Sequence, residues 1–169
     1  MRKIKKILAA NRSEIAIRIF RAAEESNIKT AAIYSKEDRF ALHRYKTDES
    51  YLVGKDKGPI QAYLDIDGII KIAKEAEIDA IHPGYGFLSE SPEFAKECFD
   101  NNIIFIGPSS EILTKLGNKT EAIKVANQAN VKTIPSVIIE KQSDKDLQDS
   151  IKTIGYPVMV KASWGGGGR

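Results

Sequence analysis

Apolar residues recur along this chain in two alternating periods. Residues 4–10 form a short apolar run of the kind that fills a buried parallel strand. Ile15, Ile19, Ala22 and Ala23 then recur at helical spacing, with Ser13 as the candidate N-cap. Residues 29–35 and 50–54 read as two further strands. Ile66, Ile69, Ile70, Ala73 and Ala76 mark one face of a second helix behind a capping Asp65. A strand over 78–81 ends at His82-Pro83. Ser91 and Pro92 open a helix whose buried stripe is Phe94, Ala95, Cys98 and Phe99, and residues 103–106 form the next strand. Strands and helices alternating at this spacing predict an α/β fold with a doubly wound, mostly parallel sheet. Right-handed crossovers bring the C-terminal ends of the strands to one edge, where ligands of open α/β sheets bind. That edge carries Asn11, Arg12 and Ser13, then Ser35 and Lys36, then His82 to Tyr85, then Gly107 to Ser109.

After Gly107 the pattern changes. Ile112, Leu113 and Leu116 suit a short helix stopped by Gly117, and Ala122, Ile123 and Ala126 suit another. Ser143 is the candidate N-cap of a polar helix with Leu147, Ile151 and Ile154 on its apolar face and Gly155 as its stop. Residues 158–160 read as a buried strand. The boundary implied is 1–108 for the first domain and 109–169 for the start of a second. No internal repeat interrupts this scheme.

Composition narrows the function classes. The 169 residues are 42% hydrophobic and 29% charged, as in ordinary globular proteins, and suffice for a sizeable core. A net charge of +3 is too small an excess to argue for nucleic acid or a membrane surface as partner. The basic start (Arg2, Lys3, Lys5, Lys6) is followed by no apolar stretch of signal-peptide length, and reads as the solvated flank of the first strand. The single cysteine, Cys98, has no partner for an internal disulfide. It reads as part of an apolar helix face rather than as a nucleophile, and a cytoplasmic setting fits.

Four constellations carry candidate chemistry. At the end of the chain, Lys161 follows an apolar run and precedes Gly165, Gly166, Gly167, Gly168 and Arg169. Glycines let backbone N–H groups close on phosphate oxygens, and a lysine at a strand end needs solvent or an anion. This is not a Walker A loop, since no Lys-Ser/Thr pair follows. A Gly-Asn turn places Lys119 at the start of a helix, where the dipole also favours an anion, so Lys119 and Lys161 together could grip a polyphosphate. The Gly84-Tyr85-Gly86 piece imitates the start of a dinucleotide fingerprint but has Ser89 where the third glycine belongs. It suits a rigid turn, or a pocket wall in which Tyr85 and the Gly86 backbone meet a small ring. His82 is either a base or a satisfied histidine at a strand end. Arg12 and Glu14 either pair with each other or hold an anion.

These segments together resemble the biotin carboxylase family of ATP-grasp enzymes. The matching runs are ANRSEIAIR (10–18), HPGYGFLSE (82–90), FIGP (105–108), GNK (117–119) and GYPVMVKASWGGGGR (155–169). Many members have glycine at the position of Ser13. The run LHRYKTDESYLVG (42–54) is closer to the pyruvate carboxylase branch than to the acetyl-CoA carboxylase branch, which is the alternative within the family.

The resemblance implies a Rossmann-like N-terminal domain followed by the start of an ATP-grasp region that stops in its glycine-rich loop. It implies a ligase that uses ATP, magnesium and bicarbonate to carboxylate biotin on a carrier domain. By position, Lys119, Lys161, Gly165, Gly166, Gly167, Gly168 and Arg169 resemble the ATP-binding residues, and Tyr85 and Gly86 the N-domain contacts of the biotin pocket. Family members often form homo-oligomers through this domain. The segment that supplies metal ligands and catalytic residues is not represented, so these 169 residues alone are expected to lack turnover. The rival readings are a non-catalytic module that keeps only the fold and a nicotinamide-dependent protein.

Overall fold

The computed structural model describes residues 3–139 and 144–161. The chain divides into two compact units, Met1–Leu113 and Thr114–Arg169. The first holds β1 (Lys6–Ala9), α1 (Ser13–Glu25), β2 (Lys29–Tyr34), β3 (Glu49–Leu52), α2 (Ile66–Glu75), β4 (Ala80–His82), α3 (Pro92–Asp100) and β5 (Ile104–Phe105). α4 (Ser110–Gly117) runs across the division, and α5 (Lys119–Gln128) and α6 (Asp144–Ile154) follow.

All five strands are parallel, in the order β3-β2-β1-β4-β5. β1 is therefore central, with Leu8 beside Ala31 of β2 and Ile81 of β4. Successive side chains of a strand point to opposite faces. Leu8, Ala31, Ile33 and Ile81 enter one core with Tyr63, with Ile69, Ile70 and Ala73 of α2 and with Phe94 and Cys98 of α3. Ile7, Ala9, Ala32 and Ala80 enter the other with Ala16, Ile19, Phe20 and Ala23 of α1. Burial on both faces is why the inner strands β1, β2 and β4 read as apolar runs, while the edge strand β3, Glu49–Leu52, does not. The step from β1 to β2 and the step from β4 to β5 run in opposite directions along the sheet. Right-handed crossovers then require α1 and α3 to lie on opposite faces. The direction reverses between β1 and β4, and the loops that leave these two strands meet there.

Helix starts follow the expected chemistry where a short polar side chain can reach back. Asp65 accepts from Gly68 N–H at 3.3 Å, and Ser91 accepts from Phe94 N–H at 3.1 Å with Pro92 in the first turn. Ser13 is a correction. It is the first residue of α1 at φ +56°, and Arg12 occupies the cap position with no side-chain capping bond. The chain leaves β1 in a left-handed conformation, so the Ser13 hydroxyl is not placed to cap. Ser143 lies outside the described residues. Phe99 is a second correction: only Phe94, Ala95 and Cys98 of the expected stripe on α3 are buried, and Phe99 is 81% exposed, because five residues after Phe94 it has turned away from the core-facing side of the helix.

Helix ends share one device. α1, α2, α3 and α5 each finish with a left-handed residue, Asn27, Glu77, Asn102 and Asn130, at φ between +53° and +58°. The next residue donates back across the last turn, as in Ile28 N–H to Ala23 O and Ile103 N–H to Cys98 O, 2.9 and 2.8 Å. An isoleucine or valine follows each time; Ile28, Ile78 and Ile103 seat the chain in the core as α1, α2 and α3 stop, whereas Val131 after α5 is exposed.

The strand expected at 158–160 does not form. These residues pair with no strand among the described residues, and Met159 and Val160 are 80% and 74% exposed. A strand completes its backbone hydrogen bonds only against a neighbour, and none is provided. Lys161 is exposed, so its expected placement at the end of a buried strand fails with it.

Glu77 is an exposed side chain in a conformation that disfavours a Cβ. Glu77→Gly should stabilise the protein by about 0.5–1 kcal/mol, the relief of left-handed strain less the added freedom of the unfolded glycine. Thermal unfolding followed by circular dichroism reads this as a rise of roughly 2–4 °C. A fall in Tm would contradict the capping role assigned to residue 77.

Candidate functional site

The loops after β1 and β4 are joined by one buried side chain. Asn11 is 3% exposed, and its amide donates to the carbonyls of Pro83 (2.7 Å) and Tyr85 (2.9 Å). Its Oδ1 accepts from Arg12 N–H at 2.9 Å, so both ends of the amide are used. The close approach requires glycine at position 84. A Cβ there would lie 2.7 Å from Asn11 Nδ2, and φ is +67°. Gly84 N–H donates to His82 Nδ1 at 3.0 Å, which needs that nitrogen unprotonated. Burial holds the His82 imidazole below its ordinary value and keeps it neutral. His82 Nδ1 is thus engaged at the strand end and is not free to act as a base.

Beyond Gly84 the loop presents Tyr85 and Gly86. Tyr85 is 64% exposed, and its hydroxyl donates to Glu14 Oε2 at 3.2 Å. That bond, with the carboxylate's charge, raises the Tyr85 phenol above its usual range. Gly86 has φ +65°, and a Cβ there would meet nothing within 4 Å, so its surroundings are open. Phe87 follows at φ +41°, a strained conformation for a bulky residue that costs about 1–2 kcal/mol. Its ring stacks on Tyr63 with centroids 5.1 Å apart.

Arg12 lies over both rings, 5.4 Å from the Tyr63 centroid and 5.5 Å from that of Phe87. It pairs with Asp38 at 3.1 Å, while Glu14 pairs with Arg18 at 3.5 Å. The two residues left open as partners for one another are therefore each bound elsewhere. Asp38 also accepts from the Tyr63 hydroxyl (2.8 Å) and the Ser35 hydroxyl (3.3 Å). Burial pushes the Asp38 carboxyl up, but the Tyr63, Arg12 and Ser35 contacts outweigh it and hold the group below the usual carboxylate range. Burial, then the bond to Asp38, pushes the Tyr63 phenol up. Behind this network His43 is fully buried, with Nε2 3.2 Å from Ile33 O and Nδ1 without a hydrogen-bond partner. Asp38 and Tyr63 sit in or beside short 3-10 turns that apolar periodicity does not reveal. The aromatic Tyr63 in an otherwise turn-like stretch was their one sequence signal.

The dinucleotide reading of Gly84-Tyr85-Gly86 does not survive. β4 ends at His82 and α3 begins only at Pro92, so no helix N-terminus follows the glycines to receive a pyrophosphate. Cys98 is buried in the core, its thiol pushed up to about 12 mainly by burial, which leaves no thiolate nucleophile.

In the second unit, Lys119 opens α5 as expected. The Asn118 side chain accepts from Thr120 N–H (2.9 Å) and Glu121 N–H (3.2 Å), so two of the amides at that helix start are already satisfied. Gly165, Gly166, Gly167, Gly168 and Arg169 lie outside the described residues. No helix among the described residues is long and apolar enough to cross a membrane.

A central parallel sheet with its open loop at the direction switch defines an α/β domain of the doubly wound class. Residues 3–113 match the family of the biotin carboxylase N-terminal domain, and residues 118–169 match the ATP-binding domain of the carbamoyl-phosphate synthase L chain. The chain belongs to the biotin carboxylase N-terminal domain family. It is 54% identical to the pyruvate carboxylase of Bacillus subtilis over 166 residues, 98% of this chain and 14% of that protein. The pyruvate carboxylase of Rhizobium etli, solved as its T882A variant with acetyl coenzyme-A, superposes with a TM-score of 0.88 at 51% identity, over 99% of this chain and 15% of that one. The biotin carboxylase domain of Hydrogenobacter thermophilus 2-oxoglutarate carboxylase, solved as a dimer with MgADP, ADP and bicarbonate, gives 0.92 at 42% identity over 100% and 37%. The chain thus spans about a seventh of the length of the curated relatives it matches, and corresponds to their N-terminal part.

Asp38→Asn should cost about 1–3 kcal/mol at neutral pH, the range for hydrogen bonds to a charged group. The folded carboxyl titrates below its ordinary 3.8, so its stabilisation is complete above that value and is lost as pH falls through the lower folded one. Urea unfolding as a function of pH should therefore show a steeper acid limb in the wild type than in the variant. Identical limbs would mean that no linked charge resides at Asp38.

Proposed function

We propose that this chain supplies the N-terminal part of an ATP-dependent biotin carboxylase module of the pyruvate carboxylase type. ATP and magnesium, when bound, supply the activated phosphoryl group with which such a module converts bicarbonate into a carboxyl donor for biotin. The observation that carries the reading is the loop from His82 to Phe87, set at the sheet's direction switch, with Tyr85 turned to solvent and open space around Gly86. A small planar ring fits that shelf, because Gly86 has no side chain to fill it and Tyr85 offers a ring face and a hydroxyl.

Lys119 and Lys161 are assigned to the nucleotide phosphates, each an ammonium able to balance anionic oxygens. Gly165, Gly166, Gly167, Gly168 and Arg169 are assigned to the loop that covers them, through backbone N–H groups and a guanidinium. The match of residues 118–169 to an ATP-binding domain supports this assignment. In the same reading the domain extent is 1–108 for the Rossmann-like part and 109–169 for the start of the ATP-grasp region. The biotin arrives on a separate carrier domain, the setting is cytoplasmic, and copies associate through the N-terminal domain; that the Hydrogenobacter biotin carboxylase domain was solved as a dimer supports self-association.

Two measurements test the proposal. The 169-residue chain should show no bicarbonate-dependent ATP cleavage, and robust turnover would overturn the claim that it is only part of the module. Placed in the Bacillus subtilis relative in exchange for the matching segment, it should support biotin-dependent ATP cleavage. There, Lys161→Ala should raise the KM for ATP about tenfold, and Tyr85→Ala that for free biotin by a similar factor, each the loss of roughly 1.4 kcal/mol of binding. An exchange protein with both KM values unmoved would refute these site assignments.

A further inference from the structure

We infer that Asn11 and Arg12 are positioning residues for the Tyr85–Gly86 shelf, an inference that rests on the ring-binding role proposed for it. The Tyr85 side chain is exposed, so packing does little to fix where it stands. Its backbone is fixed instead, from both sides and from a single distant loop. On the N-terminal side, Asn11 holds the carbonyls of Pro83 and Tyr85, 72 and 74 residues away in sequence. On the C-terminal side, Phe87 keeps its left-handed backbone because its ring is seated against Tyr63 and covered by Arg12. Arg12 is held over the rings by Asp38, which Tyr63 also grips through its hydroxyl. Gly86 lies between the two anchors, and no side chain comes within 4 Å of where its Cβ would be. Besides those anchors, only the local turn bond from Ser89 N–H to Gly86 O, 2.9 Å, is recorded on the Gly86 backbone among the described residues, and it ties Gly86 to its own loop rather than to the sheet. A ring binder needs the direction in which Gly86 presents its backbone set to within about half an ångström.

Two substitutions separate positioning from simple stability. Asn11→Asp keeps the shape but puts an acceptor oxygen against two carbonyls. Arg12→Lys keeps the charge beside Asp38 but loses the planar cover over Phe87. In the Bacillus subtilis exchange protein, each should raise the KM for free biotin about tenfold and leave that for ATP within twofold. In the 169-residue chain, hydrogen exchange at Gly84 and Ser89, whose N–H groups bond to His82 Nδ1 and Gly86 O, should quicken at least tenfold, with amides of β1 and β2 unchanged. If Asn11→Asp does not fold, Arg12→Lys carries the test alone. An unmoved biotin KM in folded variants, with Tyr85→Ala still raising it, would overturn the positioning role and leave the shelf standing. An unmoved KM in Tyr85→Ala as well would remove the shelf and this inference with it.

Discussion

The side-chain amide of Asn11 is the interaction on which the site depends. It lies at the point where the sheet reverses its winding direction, between β1 and β4, where neither loop has a strand partner for its backbone. A buried carbonyl left without a donor costs about 1–3 kcal/mol, and the tight turn at Gly84 leaves the Pro83 carbonyl buried and the Tyr85 carbonyl half-buried beside it. One amide satisfies both. It does so only because the backbone comes so close that position 84 can hold no side chain. The asparagine, the glycine and the turn are thus a single unit, and Tyr85 and Gly86 inherit their placement from it.

Around this point the domain is built from ordinary parts used economically. Strands buried on both faces make the sheet a rigid floor, and handedness assigns α1 to one side and α2 and α3 to the other. Four helices stop at a left-handed residue followed by an isoleucine or valine; after α1, α2 and α3 the chain so re-enters the sheet at a defined register. Beside the switch, the charge of Asp38 gathers Arg12, Tyr63 and Ser35 into one cluster, and that cluster seats Phe87. Function in such a scaffold is carried by loops that a stiff sheet aims.

The second unit is of a different kind. Its helices α5 and α6 form, with Asn118 capping the first, yet Val125, Val131, Ile134, Ile138 and Ile139 remain exposed. Local rules suffice for helices, since every backbone bond is made within the segment. They do not suffice for the apolar stretch at 158–160, which needs a second strand to become one.

The order of strands and helices in the first unit, the caps at Asp65 and Ser91, three of the four members of the buried stripe around Cys98 and the gathering of the strand C-termini along one edge were legible in the chain alone. Each rests on local periodicity or on a side chain that reaches its own backbone. The family, too, was legible, because its motifs are long runs of consecutive residues. Only the tertiary structure decided the partners of Arg12, the role of Asp38, the seat of Phe87 and the left-handed start at Ser13. Each depends on groups tens of residues apart meeting at one point, and no local pattern encodes which distant partner a charge or an amide will find.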